Sequence, residues 1–531
     1  MLLSRRSLAG VMGLALATVF ASGPASAQKA GGTLVQITQP EPPNLASYIS
    51  TSGPIGQVTA KIFDGLLEYN FDLKPQPSLA ESFEVTPDGK TITFKLRKDV
   101  KFHDGKPFTS ADVQFSFMQV LKENHPRGIA TFKELTAVET PDPHTAIFKL
   151  AEPAPYLLMA LSGYESPILP KHVYGEGDIK THPNANKPVG TGPFKFVEWR
   201  RGEFIRLDKN KDYWRAGMPY LDRMVVRFIA DSSTRTAAIE KGEAHVAGFG
   251  AVPYNDVKKL AAMPTLEVTT KGYEMVSPVV ELVVNTKQPP LDNVKVRQAI
   301  AYAIDRQFVI ANVWFGFGKP AMGPISSNFA PAGLYAAGVD YTVADRIERA
   351  NKLLDDAGLP KKADGFRFEI VHDITPYGEE WQRAGEAVQQ ALAQVGIKVT
   401  LRYEDVAKWL KRVYTDYDFH LSSNFLYNLA DPVLGVHRSF HSDRIKPGTV
   451  FVNGARWSSP ETDQLMDQAT IEPDAAKRGV LYKELVAKTT EASPVIYMLE
   501  LQFPTIVNKQ FKNVITGPLG IYGNYATAYK E

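Results

Sequence analysis

The chain contains no cysteine in 531 residues. It can form no disulfide, offers no thiol nucleophile, and has no thiol to carry a lipid at a signal cleavage site. A dominant charge is missing too. Formal net charge is +2, and removing residues 1–27 leaves 58 basic against 58 acidic side chains. A balance of that kind excludes nucleic acid or an anionic membrane as the partner of an electrostatic patch. After residue 27 there is no apolar run of 18 residues, so no membrane-spanning helix and no stable membrane insertion are expected. Repeats and low-complexity segments are absent. So are the G-x-S-x-G and H-E-x-x-H motifs of hydrolases, and Asp88-Gly-Lys-Thr91 is no phosphate loop because position 84 is glutamate. No catalytic residues and no cofactor are expected.

What is present begins with an export signal. Arg5 and Arg6 precede an apolar run from Leu8 to Phe20, and Ala25-Ser26-Ala27 is an A-x-A cleavage site. The signal peptide is read as residues 1–27, with the mature chain free in the periplasm of a two-membraned bacterium. The paired arginines in Ser4-Arg5-Arg6-Ser7-Leu8 also resemble a twin-arginine signal, so the export route stays open.

Roughly 500 mature residues exceed one core and predict two or three domains. The first half reads as strands and hairpins. Thr91–Arg97 alternates apolar and polar residues, and Phe194–Trp199 and Phe204–Leu207 flank a glycine turn. The second half alternates strand and helix. Phe366–Val371 reads as a strand. Glu379–Val395 reads as a helix with Trp381, Ala384, Val388, Ala391, Leu392 and Val395 along one stripe, ended by Gly396. Ile397–Leu401 follows as a strand, which makes a βαβ unit and a parallel pair. A further helix is predicted over Val343–Ala357, ending at Gly358.

One segment, Lys101-Phe-His-Asp-Gly-Lys-Pro-Phe-Thr-Ser-Ala-Asp-Val113, places His103 beside Asp104 and Asp112. A metal would want further ligands nearby, and none follows. The spacing instead predicts a turn at Asp104-Gly105, then a helix capped by Thr109 or Ser110 with Asp112 in its first turn.

That segment also belongs to a resemblance. Leu79–Phe83, Asp88-Gly-Lys90, Thr93–Arg97, Phe102–Val113, Gly190–Phe194, Asp212-Tyr-Trp214, Pro219–Asp222, Asp292–Ile300 and Asp305-Arg306 resemble, in order and spacing, the family 5 extracellular solute-binding proteins. These are the periplasmic receptors of peptide- and nickel-type ABC importers. The resemblance spans residues 31–531. It implies an α/β fold of two lobes joined by a hinge, the class II periplasmic binding protein type in a three-domain variant. Lobe one would take residues 28–63, 186–287 and 497–531, with a small extra domain over 64–185, and lobe two residues 288–496. Two crossover strands, Pro278–Val284 and Pro494–Leu501, would join the lobes. The implied function is a monomeric receptor that encloses a small solute (peptide-like, opine-like or another polar or amphipathic organic molecule) and delivers it to an inner-membrane ABC permease and its ATPase. A metal-chelate receptor is the alternative, with His437 and His441 at ligand spacing.

Candidate ligand contacts follow from the resemblance. Ser52 and Gly53 would come from lobe one. Each crossover strand carries one acid, Glu281 and Glu500; either reads as a structural salt bridge, an outward-facing position or a polar contact in the cleft, with Glu281 the better candidate for the cleft. Phe425-Leu-Tyr-Asn-Leu-Ala-Asp-Pro432 resembles the family's pocket segment W-x-x-D-x-x-D-P. There the first acid receives a peptide's α-ammonium, but this chain has Asn428, with Phe425 at the tryptophan position and Asp431 conserved in type. An amide brings no charge to a cation, so the expected ligand is non-peptidic or a modified peptide. Phe425 and Tyr427 would then supply walls; Arg438 reads either as a surface arginine or, if it faces the cleft, as a partner for a carboxylate.

Overall fold

The computed structural model describes residues 30–531; the signal-peptide reading of residues 1–27 lies outside them. Three larger sheets organise the described chain. A seven-stranded sheet runs in the order Leu266–Thr269, Thr505–Asn508, Val246–Ala247, Thr33–Ile37, Arg223–Arg227, Phe204–Lys209, Phe194–Arg200. It therefore draws on three separate stretches of sequence. A four-stranded antiparallel sheet over Ala80–Leu150 stands beside it as the small domain. A six-stranded mixed sheet forms lobe two: Gly318–Pro320, Val495–Leu501, Pro278–Val284, Leu421–Tyr427, Phe368–Ile374, Ile397–Tyr403.

The two crossover strands lie side by side, antiparallel, inside this third sheet, and every residue of both is buried. A continuous apolar run makes sense there, because both faces of the strand are covered. Both therefore belong to the sheet that the chain joins at Pro278 and leaves after Leu501. The crossings themselves are short: residues 270–277 between Leu266–Thr269 and Pro278–Val284, and residues 502–504 between Val495–Leu501 and Thr505–Asn508.

Local chemistry explains the elements. The helix Glu379–Gln394 buries Trp381, Ala384, Val388, Ala391 and Leu392, and Gly396 ends it at φ +81. The strands on either side, Phe368–Ile374 and Ile397–Tyr403, pair in parallel. The first starts two residues later than the alternation suggests. Asp364 accepts from the Phe366 N–H at 3.0 Å, and the Phe366 carbonyl closes a turn with the Lys362 N–H at 2.8 Å. Likewise the helix predicted from Val343 begins at Arg346. At Thr109 a capping box forms: Asp112 accepts from the Thr109 N–H at 2.9 Å, and its other oxygen accepts the Lys171 N–H at 2.9 Å. His103 is held between backbone groups of Gly190 and Gly192. Its burial brings the imidazole down to about 4, so the ring stays neutral and structural.

Candidate functional site

Aromatic side chains from both lobes meet where the sheets face each other. From lobe two, Phe425 stacks on Trp381 (5.5 Å between centroids, 27°) and meets Tyr427 edge-on at 5.5 Å. Trp381 in turn contacts Trp314, which packs edge-on against Tyr254 of lobe one at 5.6 Å. On the lobe-one side Tyr164 lies against Tyr522 at 4.6 Å, and Phe249 against Phe503 at 4.7 Å.

This wall needs small residues beneath it. A Cβ on Gly53 would lie 3.0 Å from the Tyr522 hydroxyl, and one on Gly56 would lie 2.5 Å from the Tyr164 ring. The helix Gly53–Thr59 thus approaches the aromatic cluster through glycines. Ser52 immediately precedes that helix, half-buried, with no capping bond from its side chain. The Tyr254 hydroxyl and the Trp314 indole nitrogen are buried in this wall without a hydrogen-bond partner among the described residues.

One end of the cleft is charged. Glu281 sits on the strand Pro278–Val284 opposite Asn424 and Tyr497, 3% exposed. Burial pushes its carboxyl up to about 8, and only the charge of Arg438 pulls it back; the two are not in ion-pair contact. Tyr414 borders the same spot and accepts a hydrogen bond from the Asn424 amide at 3.0 Å. Arg438 donates to the carbonyls of Gly435 (3.1 Å) and Tyr427 (3.2 Å) and to no other described residue. Arg438 is half-buried. Burial and then the neighbouring Arg127 charge bring it down to about 10, while Glu281 opposes that shift; it remains charged at neutral pH. Arg127, from the small domain, is bound through both carboxylate oxygens of Glu165, one at 2.7 Å.

Two expected contacts are turned into lobe two itself. The Asn428 amide is committed at both ends: its oxygen accepts the Ser326 N–H at 2.6 Å and its nitrogen donates to the Pro324 carbonyl at 2.9 Å. Asp431 holds Arg478 through two bonds of 2.9 and 3.0 Å and also accepts the Val433 N–H. It is a buried structural ion pair, not a free acid facing a ligand. Glu500 accepts from Ser326, Ser327 and Lys319 beside a cavity of about 170 Å³ at the hinge. The paired histidines do not converge: His437 meets the Tyr482 hydroxyl at 3.2 Å, whereas His441 pairs with Asp443 and Asp467. Among the described residues no group of three or more His, Asp or Glu side chains could hold a metal.

The architecture decides the family. Residues 74–446 match the bacterial extracellular solute-binding proteins, family 5 middle region. The chain belongs to this family. It is 28% identical over 488 residues to the oligopeptide-binding protein AppA of Bacillus subtilis, covering 88% of this chain and 86% of AppA. It is 29% identical over 464 residues to the glutathione-binding protein GsiB of Pectobacterium atrosepticum, covering 84% of each. Among solved structures, AgaA from A. tumefaciens R10 in complex with agropinic acid superposes with a TM-score of 0.74, at 29% identity over 94% of this chain and 99% of that one. Members are substrate-binding receptors of ABC transporters, exported from the cytoplasm, and this chain is a two-lobed solute-binding receptor of that kind. No helix among the described residues is long and apolar enough to cross a membrane.

Arg127, Glu165, Tyr164, Tyr254, Trp314 and Trp381 escaped sequence reasoning. Apart from the neighbours Tyr164 and Glu165 they are scattered along the chain with no shared motif, and only the tertiary fold brings them together.

Proposed function

We propose that the protein is a periplasmic receptor, acting as a monomer after removal of residues 1–27, that encloses an organic solute between its lobes and presents it to an ABC permease and its ATPase. The observation that carries this reading is the aromatic wall built from both lobes, where Tyr254 of lobe one packs on Trp314 and, through Trp381, on Phe425 of lobe two. Enclosure by apolar walls with a few placed polar groups is how such receptors select a solute without chemistry. Asn428 brings no charge and no free hydrogen-bonding atom to the amine position. The reading therefore favours a solute whose α-ammonium, if it has one, is held elsewhere. The agropinic-acid, glutathione and oligopeptide receptors among its relatives support organic acids and modified peptides as the class to screen.

Thermal-shift screening of opines, glutathione, and free and N-acetylated di- to pentapeptides tests this. A bound solute stabilises the folded state by mass action. At least one non-peptidic or modified compound should raise the midpoint by ~1 °C or more at saturation. Micromolar binding restricted to unmodified peptides and abolished by N-acetylation would overturn the solute class. Silence across the whole panel would overturn the enclosed-solute reading.

A further inference from the structure

Resting on that reading of the cleft, we infer that the solute carries a carboxylate, seated on Arg438 at the charged end of the aromatic cleft, with the Glu281 carboxyl as a hydrogen-bond donor beside it.

Four ionisable groups meet at this end, and their pairing is uneven. Arg127 is neutralised by Glu165 in a two-pronged contact within the small domain. Arg438 has no such partner. Its described bonds go to two backbone carbonyls, which take hydrogens but supply no opposite charge. Arg127 is close enough to repel it, and Glu281 is the one acid on its own lobe close enough to offset that repulsion. A guanidinium forms its strongest bonds with a carboxylate and presents a planar fork for both oxygens. An arginine left with only carbonyls at the edge of an enclosed space is incomplete.

Glu281 cannot complete it as a charged group. It lies inside a fully buried strand, no described donor reaches its carboxyl, and the cost of desolvating an anion there is high. In its neutral form it carries an O–H that can donate, with Tyr414 and Tyr497 as its polar neighbours. The quartet of Arg438, Arg127, Glu165 and neutral Glu281 then bears one net positive charge. An anionic group on the solute cancels that charge, satisfies the free face of Arg438 and accepts from Glu281. A cationic group would meet two arginines. The rest of the cleft (Phe425, Tyr427, Trp381 and Tyr164) takes the apolar or aromatic remainder.

Matched acid and amide probes test this by calorimetry on the mature protein. The probes are opine-type N-carboxyalkyl amino acids, N-acetyl dipeptides and 3-phenylpropionate, each beside its carboxamide. Carboxylates should supply the binders, with each binder's amide at least tenfold weaker. Arg438→Gln should remove that preference, and Arg438→Lys should keep part of it. An amide that binds wild type as tightly as its acid overturns the inference while leaving the receptor reading intact, and that comparison requires no variant to fold. Unchanged preference in folded Arg438→Gln also overturns it. If neither acids nor amides bind, the enclosed-solute reading fails and takes this inference with it.

Discussion

Glu281 is held in a place that water would have to enter for it to ionise. Arg438, Tyr414 and Tyr497 are the titratable groups around it, and burial wins over the attraction of Arg438. The folded protein therefore keeps a proton that the unfolded chain releases near pH 4.5. Stability from this group is full below that pH and is lost as the pH rises toward 8. The loss amounts to on the order of 3–5 kcal/mol. Glu281→Gln should flatten the fall: between pH 5 and pH 8 its urea midpoint drops less than that of wild type. A parallel fall in both proteins would show that Glu281 ionises freely. Asp431 gives the opposite kind of test. Arg478→Met leaves its carboxylate buried and unpaired and should cost roughly 3–5 kcal/mol, read by urea unfolding. A loss under 1 kcal/mol would mean the pair is hydrated. At this scale the sequence was informative about residue types but not about their partners. Glu281 stood out as an acid in an apolar run, and Asn428 as an amide in an acid's place. That both ends of the Asn428 amide are spent on the 324–326 loop depends on a backbone about a hundred residues away in sequence. No local pattern carries such information.

Elements were more legible, because their causes are local. The stripe on Glu379–Gln394, the glycine at 396 and the strand that follows are written in periodicity and φ preference. The capping box at Thr109 is written in side-chain chemistry, and it predicts a measurable cost. Asp112→Ala removes an acceptor from both Thr109 and the Lys171 N–H and should destabilise by about 1–2 kcal/mol. Hydrogen exchange should quicken in the amides of the helix that begins at Ser110 and leave those of Leu421–Tyr427 unchanged. Uniform acceleration across both would argue that the cap acts through the whole fold. Boundaries were less legible where turns intervene, as at Asp364, whose side chain delays the next strand. Close approaches were not legible at all. Gly56 reads as an ordinary helix glycine, yet a methyl there would collide with the Tyr164 ring. Gly56→Ala should weaken binding of any solute found by screening at least tenfold, with little change in the unfolding midpoint. Unaltered affinity would place Tyr164 outside the binding wall.

The whole molecule is two lobes joined by two short crossings, residues 270–277 and 502–504. Its sheets recruit strands from distant parts of the chain, so periodicity alone gave two textures and no more. The lobed arrangement and its interrupted segments came from the resemblance, and the seven-stranded sheet shows the physical reason. Thr33–Ile37 needs Arg223–Arg227 on one side and Val246–Ala247 on the other, and Thr505–Asn508 joins Val246–Ala247 to the edge strand Leu266–Thr269. Contacts such as Tyr254 on Trp314 bridge the two lobes. Without solute, an Arg438 paired only with carbonyls favours an opening that lets water reach it. Small-angle X-ray scattering of the mature chain, with and without a solute identified by thermal shift, tests this directly. The free protein should have a larger radius of gyration than the closed arrangement described here, and saturating solute should contract it to that value. A free protein already as compact as the closed form, with no change on binding, would contradict enclosure between moving lobes.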